Sequence, residues 1–170
     1  MMSYFTRFLL LLATLLVAIP SVADTLQGRV VGIADGDTVT VLDATNKQWK
    51  IRLKGIDAPE KKQAFGNKSK QHLSDLVFNK QVTVEYSKKD KYGRTLGKII
   101  VDGFDANLEQ VRAGMAWHYK KYQNEQTMED RFIYTDAEIL ARTEKRGLWV
   151  DKEPIAPWEF RKQAKNMQRN

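Results

Sequence analysis

The chain has 170 residues and a net charge of +7, which points to polyanionic partners: nucleic acid, acidic lipid headgroups or acidic polysaccharide. It contains no cysteine, which excludes a disulfide framework, a thiol nucleophile and a Cys-ligated zinc site. Its two histidines, His72 and His118, are far apart and read as packing or surface residues, so oxygen must be the ligand of any bound metal.

Residues 1–23 carry Arg7, an apolar run from Phe8 to Ile19, Pro20 and the small-residue pattern Ser21-Val22-Ala23. The pattern predicts a signal peptide cleaved after Ala23 and an exported protein, secreted or periplasmic. The alternative is an uncleaved anchor, but the run is shorter than the roughly 20 residues of a spanning helix, and no stable membrane insertion is expected after cleavage. Residues 24–150 are expected to form one domain, with 151–170 as a basic C-terminal tail, loose at its end.

Strands are predicted at Arg29–Ala34 and Thr38–Leu42, around an Asp35-Gly36 turn in which glycine supplies positive φ. A third strand follows a turn at Asp43–Lys47; there Trp49, Ile51 and Leu53 alternate with Lys50, Arg52 and Lys54, which turns Arg52 away from the core. Leu73, Leu76 and Val77 then share one face of a short helix. Alternation returns in "QVTVEY" and, after the polar loop "SKKDKYGR", in "TLGKIIVDG". Asp105 is placed as the N-cap of a helix over "ANLEQVRAGMAW" with Leu108, Val111 and Met115 as its stripe, and a further helix is predicted over Met128–Lys145. The expected class is α+β: a five-stranded OB-fold β-barrel with about three packed α-helices. A monomer is expected, because no long exposed apolar stripe is left over.

Three acids fall at strand ends: Asp37 after the first turn, then Asp57 and Glu60 in "GIDAPE". In an antiparallel meander the start of the second strand and the end of the third lie at the same end, so Asp37 and Asp57 can meet. Two carboxylates about 4 Å apart repel by roughly 4 kcal/mol at an effective dielectric near 20, unless a cation sits between them or one is protonated. Hard oxygen ligands favour Ca²⁺ over Mg²⁺ or Mn²⁺; a plain turn with a solvated acid is the other reading of the Asp57 bend. Arg52 near Asp57, and Arg94 after "DKYG", would add guanidinium forks that match phosphate oxygens.

"DGDTV", "IRLKGIDAPE" and "DKYGRTLGKI", in this order, resemble the staphylococcal-nuclease-like family from about Gly28 to Trp149. The resemblance implies an OB-fold barrel that hydrolyses DNA and RNA with Ca²⁺ and leaves 3′-phosphate ends. By motif it implies Asp37 and Asp57 as carboxylate ligands and Ala58 as a carbonyl ligand, with Asp35 an acid close to the metal. It further implies that Glu60 activates water, that Arg52 and Arg94 stabilise the transition state, and that Lys91 and Tyr92 line the nucleotide pocket. Trp117, Tyr119 and Tyr122 all fall where a base-stacking tyrosine is expected, and Tyr119 is the choice. An OB-fold module that binds nucleic acid without cleaving it is the alternative; the complete set of acids and arginines favours the enzyme.

Overall fold

A computed structural model describes residues 24–169, so the expected signal peptide lies outside the described residues. Strands β1 (Asp24–Asp35), β2 (Thr38–Asp43) and β3 (Gln48–Leu53) form an antiparallel meander. The two-residue strand β4 (Ile56–Asp57) and helix α1 (Gly66–Val77) lead to β5 (Gln81–Lys89) and β6 (Thr95–Val101), and β7 (Phe104–Asp105) pairs at the edge. β1 begins five residues before the expected Arg29: its first half pairs with β5, Asp24 opposite Tyr86, and its second half with β2. Parallel pairing of β3 with β6, Ile51 opposite Thr95 and Leu53 opposite Gly97, closes the five long strands into an OB-type barrel.

Alternation selects the core. In β3, Ile51 and Leu53 are buried while Lys50 is exposed and Arg52 half-buried. Val39, Val41, Val84 and Ile99 fill the barrel from the other strands, and α1 closes it with Leu73 and Val77. Asp43 ties the β2–β3 turn by accepting from the Thr45 and Lys47 amides and from Trp49 Nε1 at 2.7 Å.

The first hairpin differs from the turn expected for it. Its loop residues are Gly36 and Asp37, with Asp35 opposite Thr38, and Gly36 is not among the described residues with positive φ. Glycine is required there by close approach instead. A Cβ on Gly36 would collide with Ser69 Oγ of α1 and come within 2.8 Å of Ala58 Cβ. Behind the turn, Gln110 Nε2 donates to the Gly36 carbonyl at 2.6 Å and to the Ser69 carbonyl at 3.1 Å. Gly36→Ala is therefore expected to lower stability by about 1–3 kcal/mol, read from urea denaturation midpoints; an unchanged midpoint would show that Ser69 and Ala58 can yield.

Helix α2 (Ala106–Arg112) has the expected N-cap: Asp105 accepts from the Asn107 and Leu108 amides at 2.9 and 3.1 Å. It stops five residues short of Trp117, because Gly114 at φ 65° ends it, and Met115 lies outside it. Residues Trp117–His118 form β8, which pairs with β4, Asp57 opposite Trp117. Helix α3 (Met128–Thr143) is capped by Thr127 and ends at Thr143, ahead of Lys145, which has positive φ. The segment expected as a basic C-terminal tail carries a fourth helix, α4 (Pro157–Met167), with Pro157 at its start, Glu159 in its first turn and Lys165 in its last. No helix among the described residues is long and apolar enough to cross a membrane.

Candidate active site at the barrel end

The hairpin loop and β4, just beyond the end of β3, place Asp37 and Asp57 side by side. The Asp37 carbonyl accepts from the Leu53 amide at 2.8 Å, and Asp37 Oδ2 accepts from the Ala58 amide at 2.7 Å, so the β1–β2 loop is bonded to the strand exit. Arg52, turned off the core by alternation, bridges the two acids: Nη1 lies 2.9 Å from Asp37 Oδ2 and Nη2 2.8 Å from Asp57 Oδ1. Its Nη1 also donates to the Ile56 carbonyl at 3.2 Å, which fixes the fork.

Both acids are buried, Asp57 completely. Burial pushes the Asp37 carboxyl up to about 7 against the opposing pull of Arg52, with the charges of Asp35 and Asp57 adding to the rise. No group of three or more His, Cys, Asp or Glu with metal-binding geometry occurs among the described residues. The donor set is instead two buried carboxylates, and among the described residues Asp37 Oδ1 accepts only from the Thr38 hydroxyl, at 3.1 Å. Hard oxygens suit a hard divalent cation completed by a backbone carbonyl and water, which would share Asp57 with the guanidinium groups of Arg52 and Arg161.

Glu60 sits one bend further on. Its amide donates to Gln63 Oε1 at 3.2 Å, and its carboxylate meets Arg161 Nη1 at 2.7 Å. Arg161 comes from α4; its Nη2 also lies 2.7 Å from Asp57 Oδ2, and its Nη1 3.2 Å from Asp57 Oδ1. Asp37, Arg52, Asp57, Ala58 and Glu60 thus form one continuous network.

Arg94, Lys91 and Tyr92 form a separate cluster in the β5–β6 turn. Asp90 accepts from the Arg94 amide at 3.0 Å and from its Nε at 2.8 Å, and from the Tyr92 amide at 2.9 Å. Burial of the Asp90 carboxyl is outweighed by these bonds, which hold it below the usual carboxylate range. Arg94 Cζ lies 5.4 Å and Lys91 Nζ 5.0 Å from the exposed Tyr92 ring. Arg94 directly precedes β6, whose Leu96 stands opposite Arg52.

Tyr119 is bonded to the strand exit through its amide, which donates to the Gly55 carbonyl at 2.8 Å. Burial, and then the charge of Asp57, raise its phenol above the ordinary value. Its ring stacks on Trp158 of α4, centroids 5.2 Å apart, and meets Tyr122 edge-on at 5.3 Å. Trp117 lies deeper, edge-on to Trp149 at 4.4 Å, and Tyr122 is exposed. A groove of about 350 Å³ is lined by Trp117, Tyr119, Lys120, Lys121, Arg142 and Trp158, among others.

The sequence of the family described as Staphylococcal nuclease homologue matches residues 50–151, more than half the chain. The chain belongs to the staphylococcal nuclease homologues. It is 48% identical to a Haemophilus influenzae protein named an uncharacterized endonuclease, over 81% of this chain and 74% of that one. It is 43% identical to an Escherichia coli O157:H7 protein of the same description, over 84% and 89%, and 40% identical to a Shigella flexneri micrococcal nuclease, over 89% of each. The chain is accordingly a nuclease, an enzyme whose substrates are nucleic acids.

Two residues at this candidate site, Arg161 and Trp158, escaped the sequence reading. Both lie on α4, beyond the span matched by the family. Their only local signal is Pro157 opening a run without a helix breaker.

Proposed function

We propose that this chain is a Ca²⁺-dependent, sugar-nonspecific nuclease that hydrolyses phosphodiester bonds of DNA and RNA and leaves 3′-phosphate ends. It acts as an exported monomer, secreted or periplasmic, after removal of residues 1–23. The observation that carries the reading is the buried Asp37–Asp57 pair bridged by Arg52, with Arg161 on Asp57 and Glu60 beside it: two carboxylates and their cationic partners gathered at the mouth of a basic protein.

Asp37, Asp57 and the Ala58 carbonyl are the residues that hold Ca²⁺. When bound, the ion offsets phosphate charge and polarises a phosphoryl oxygen. Glu60 takes a proton from the attacking water as its oxygen bonds to phosphorus. The bond from phosphorus to the 5′ oxygen breaks, and that oxygen leaves as a hydroxyl after gaining a proton. Arg52 faces the growing charge from the strand, and Arg94 supplies a second fork when phosphate replaces Asp90 as its partner. Lys91 and Tyr92 contact the nucleotide from the β5–β6 turn, and Tyr119 offers its ring to a base.

The test is digestion of single-stranded DNA and of RNA with Ca²⁺ and with chelator, followed by end-group analysis. Cleavage of both polymers only with Ca²⁺, leaving 3′-phosphate, is the expected result. Undiminished cleavage in chelator would remove the metal, and no cleavage in either condition would favour a module that only binds nucleic acid.

A further inference from the structure

Helix α4 lies beyond the span matched by the family, yet four contacts fix it against the site. Gln63 Nε2 donates to the Ile155 carbonyl just before the helix; Ala156 and Pro157 are buried; Trp158 stacks on Tyr119; and Arg161 reaches Asp57 and Glu60. Glu60 stands on a bend, its side chain 41% exposed, and Arg161 is the one partner recorded for its carboxylate among the described residues. A glutamate on such a bend has three torsions to order, and only one arrangement aims its oxygen at the reacting water. Nη1 of Arg161 binds both Glu60 Oε1 at 2.7 Å and Asp57 Oδ1 at 3.2 Å, which ties the exposed acid to the fully buried one.

We propose that α4 is part of the active site and that Arg161 is a positioning residue, holding the Glu60 carboxylate beside Asp57. This rests on the nuclease reading above, with Glu60 as the base. Lysine at position 161 can reach one acid but cannot bridge two with a planar fork, so it should restore the function only in part.

The experiment is a double-mutant cycle on the full-length mature chain: Arg161→Ala, Glu60→Gln and both together, with Arg161→Lys alongside. Turnover is measured on a DNA oligonucleotide, Ca²⁺ affinity by calorimetry, and folding by thermal melting. Arg161→Ala is expected to lower kcat by about tenfold to a hundredfold with KM nearly unchanged, and Arg161→Lys to recover part of that loss. In the Glu60→Gln background the same change should cost less than about twofold, because the group it positions is already disabled. Multiplicative losses in the double variant, with Glu60→Gln itself impaired, would overturn the positioning role alone. A rise in kcat together with tighter Ca²⁺ binding in Arg161→Ala would overturn it too, by making Arg161 a competitor for Asp57. Full turnover in Glu60→Gln would overturn the assignment of Glu60 and the positioning role with it.

Discussion

Glu60→Gln is expected to cut turnover of DNA by about a hundredfold or more while leaving DNA binding intact. The amide keeps the shape of the carboxylate and can still accept from Arg161 Nη1, so the network around Asp57 persists. It cannot take a proton from water. Single-turnover cleavage and binding measured on the same oligonucleotide separate the two effects; equal turnover would remove Glu60 from the chemistry.

Arg52→Ala is expected to cause the largest loss of stability, about 3–5 kcal/mol, because it strips the shared partner from two buried carboxylates. The pH dependence of this loss follows from Asp37. Its folded-state value, raised to about 7, lies above its value of 3.8 in the unfolded chain. The folded state therefore binds the extra proton between those values, and stability falls as pH rises through that window. Without Arg52 the folded-state value rises further, so the variant should lose more at pH 8 than at pH 5. Urea denaturation at both pH values, in chelator and in Ca²⁺, reads the effect. Ca²⁺ should restore part of the lost stability at pH 8, since a ligand that binds only the folded state stabilises it. An equal loss at both pH values would mean that Asp37 is not the group left exposed to the change.

The meeting of Asp37 and Asp57 was legible because it depends on local rules. A hairpin and period-two alternation fix which strand ends coincide, and the same alternation sends Arg52 outward onto both acids. The role of Gly36 was not legible, since the atoms that exclude a Cβ belong to Ser69 and Ala58, which only the folded chain brings there. The overrun of α2 to Trp117 was avoidable: Gly114 is a C-terminal stop signal, and the apolar stripe continued past it only by coincidence of spacing. Arg94 shows the converse limit. Motif order places it near Arg52, but its guanidinium is held by Asp90, four residues away. The contact of Arg161 with Glu60 spans 101 residues and belongs to tertiary packing alone, so a basic tail read by composition gave no hint of it.

The proposed active site depends on a cation held by two buried aspartates at the barrel end. Calorimetric titration of Ca²⁺ into the mature protein and into Asp37→Asn tests this directly, with folding of the variant checked by thermal melting. One ion bound per wild-type chain, and none measurable in the folded variant, is the predicted result. Equal binding by both proteins would contradict it.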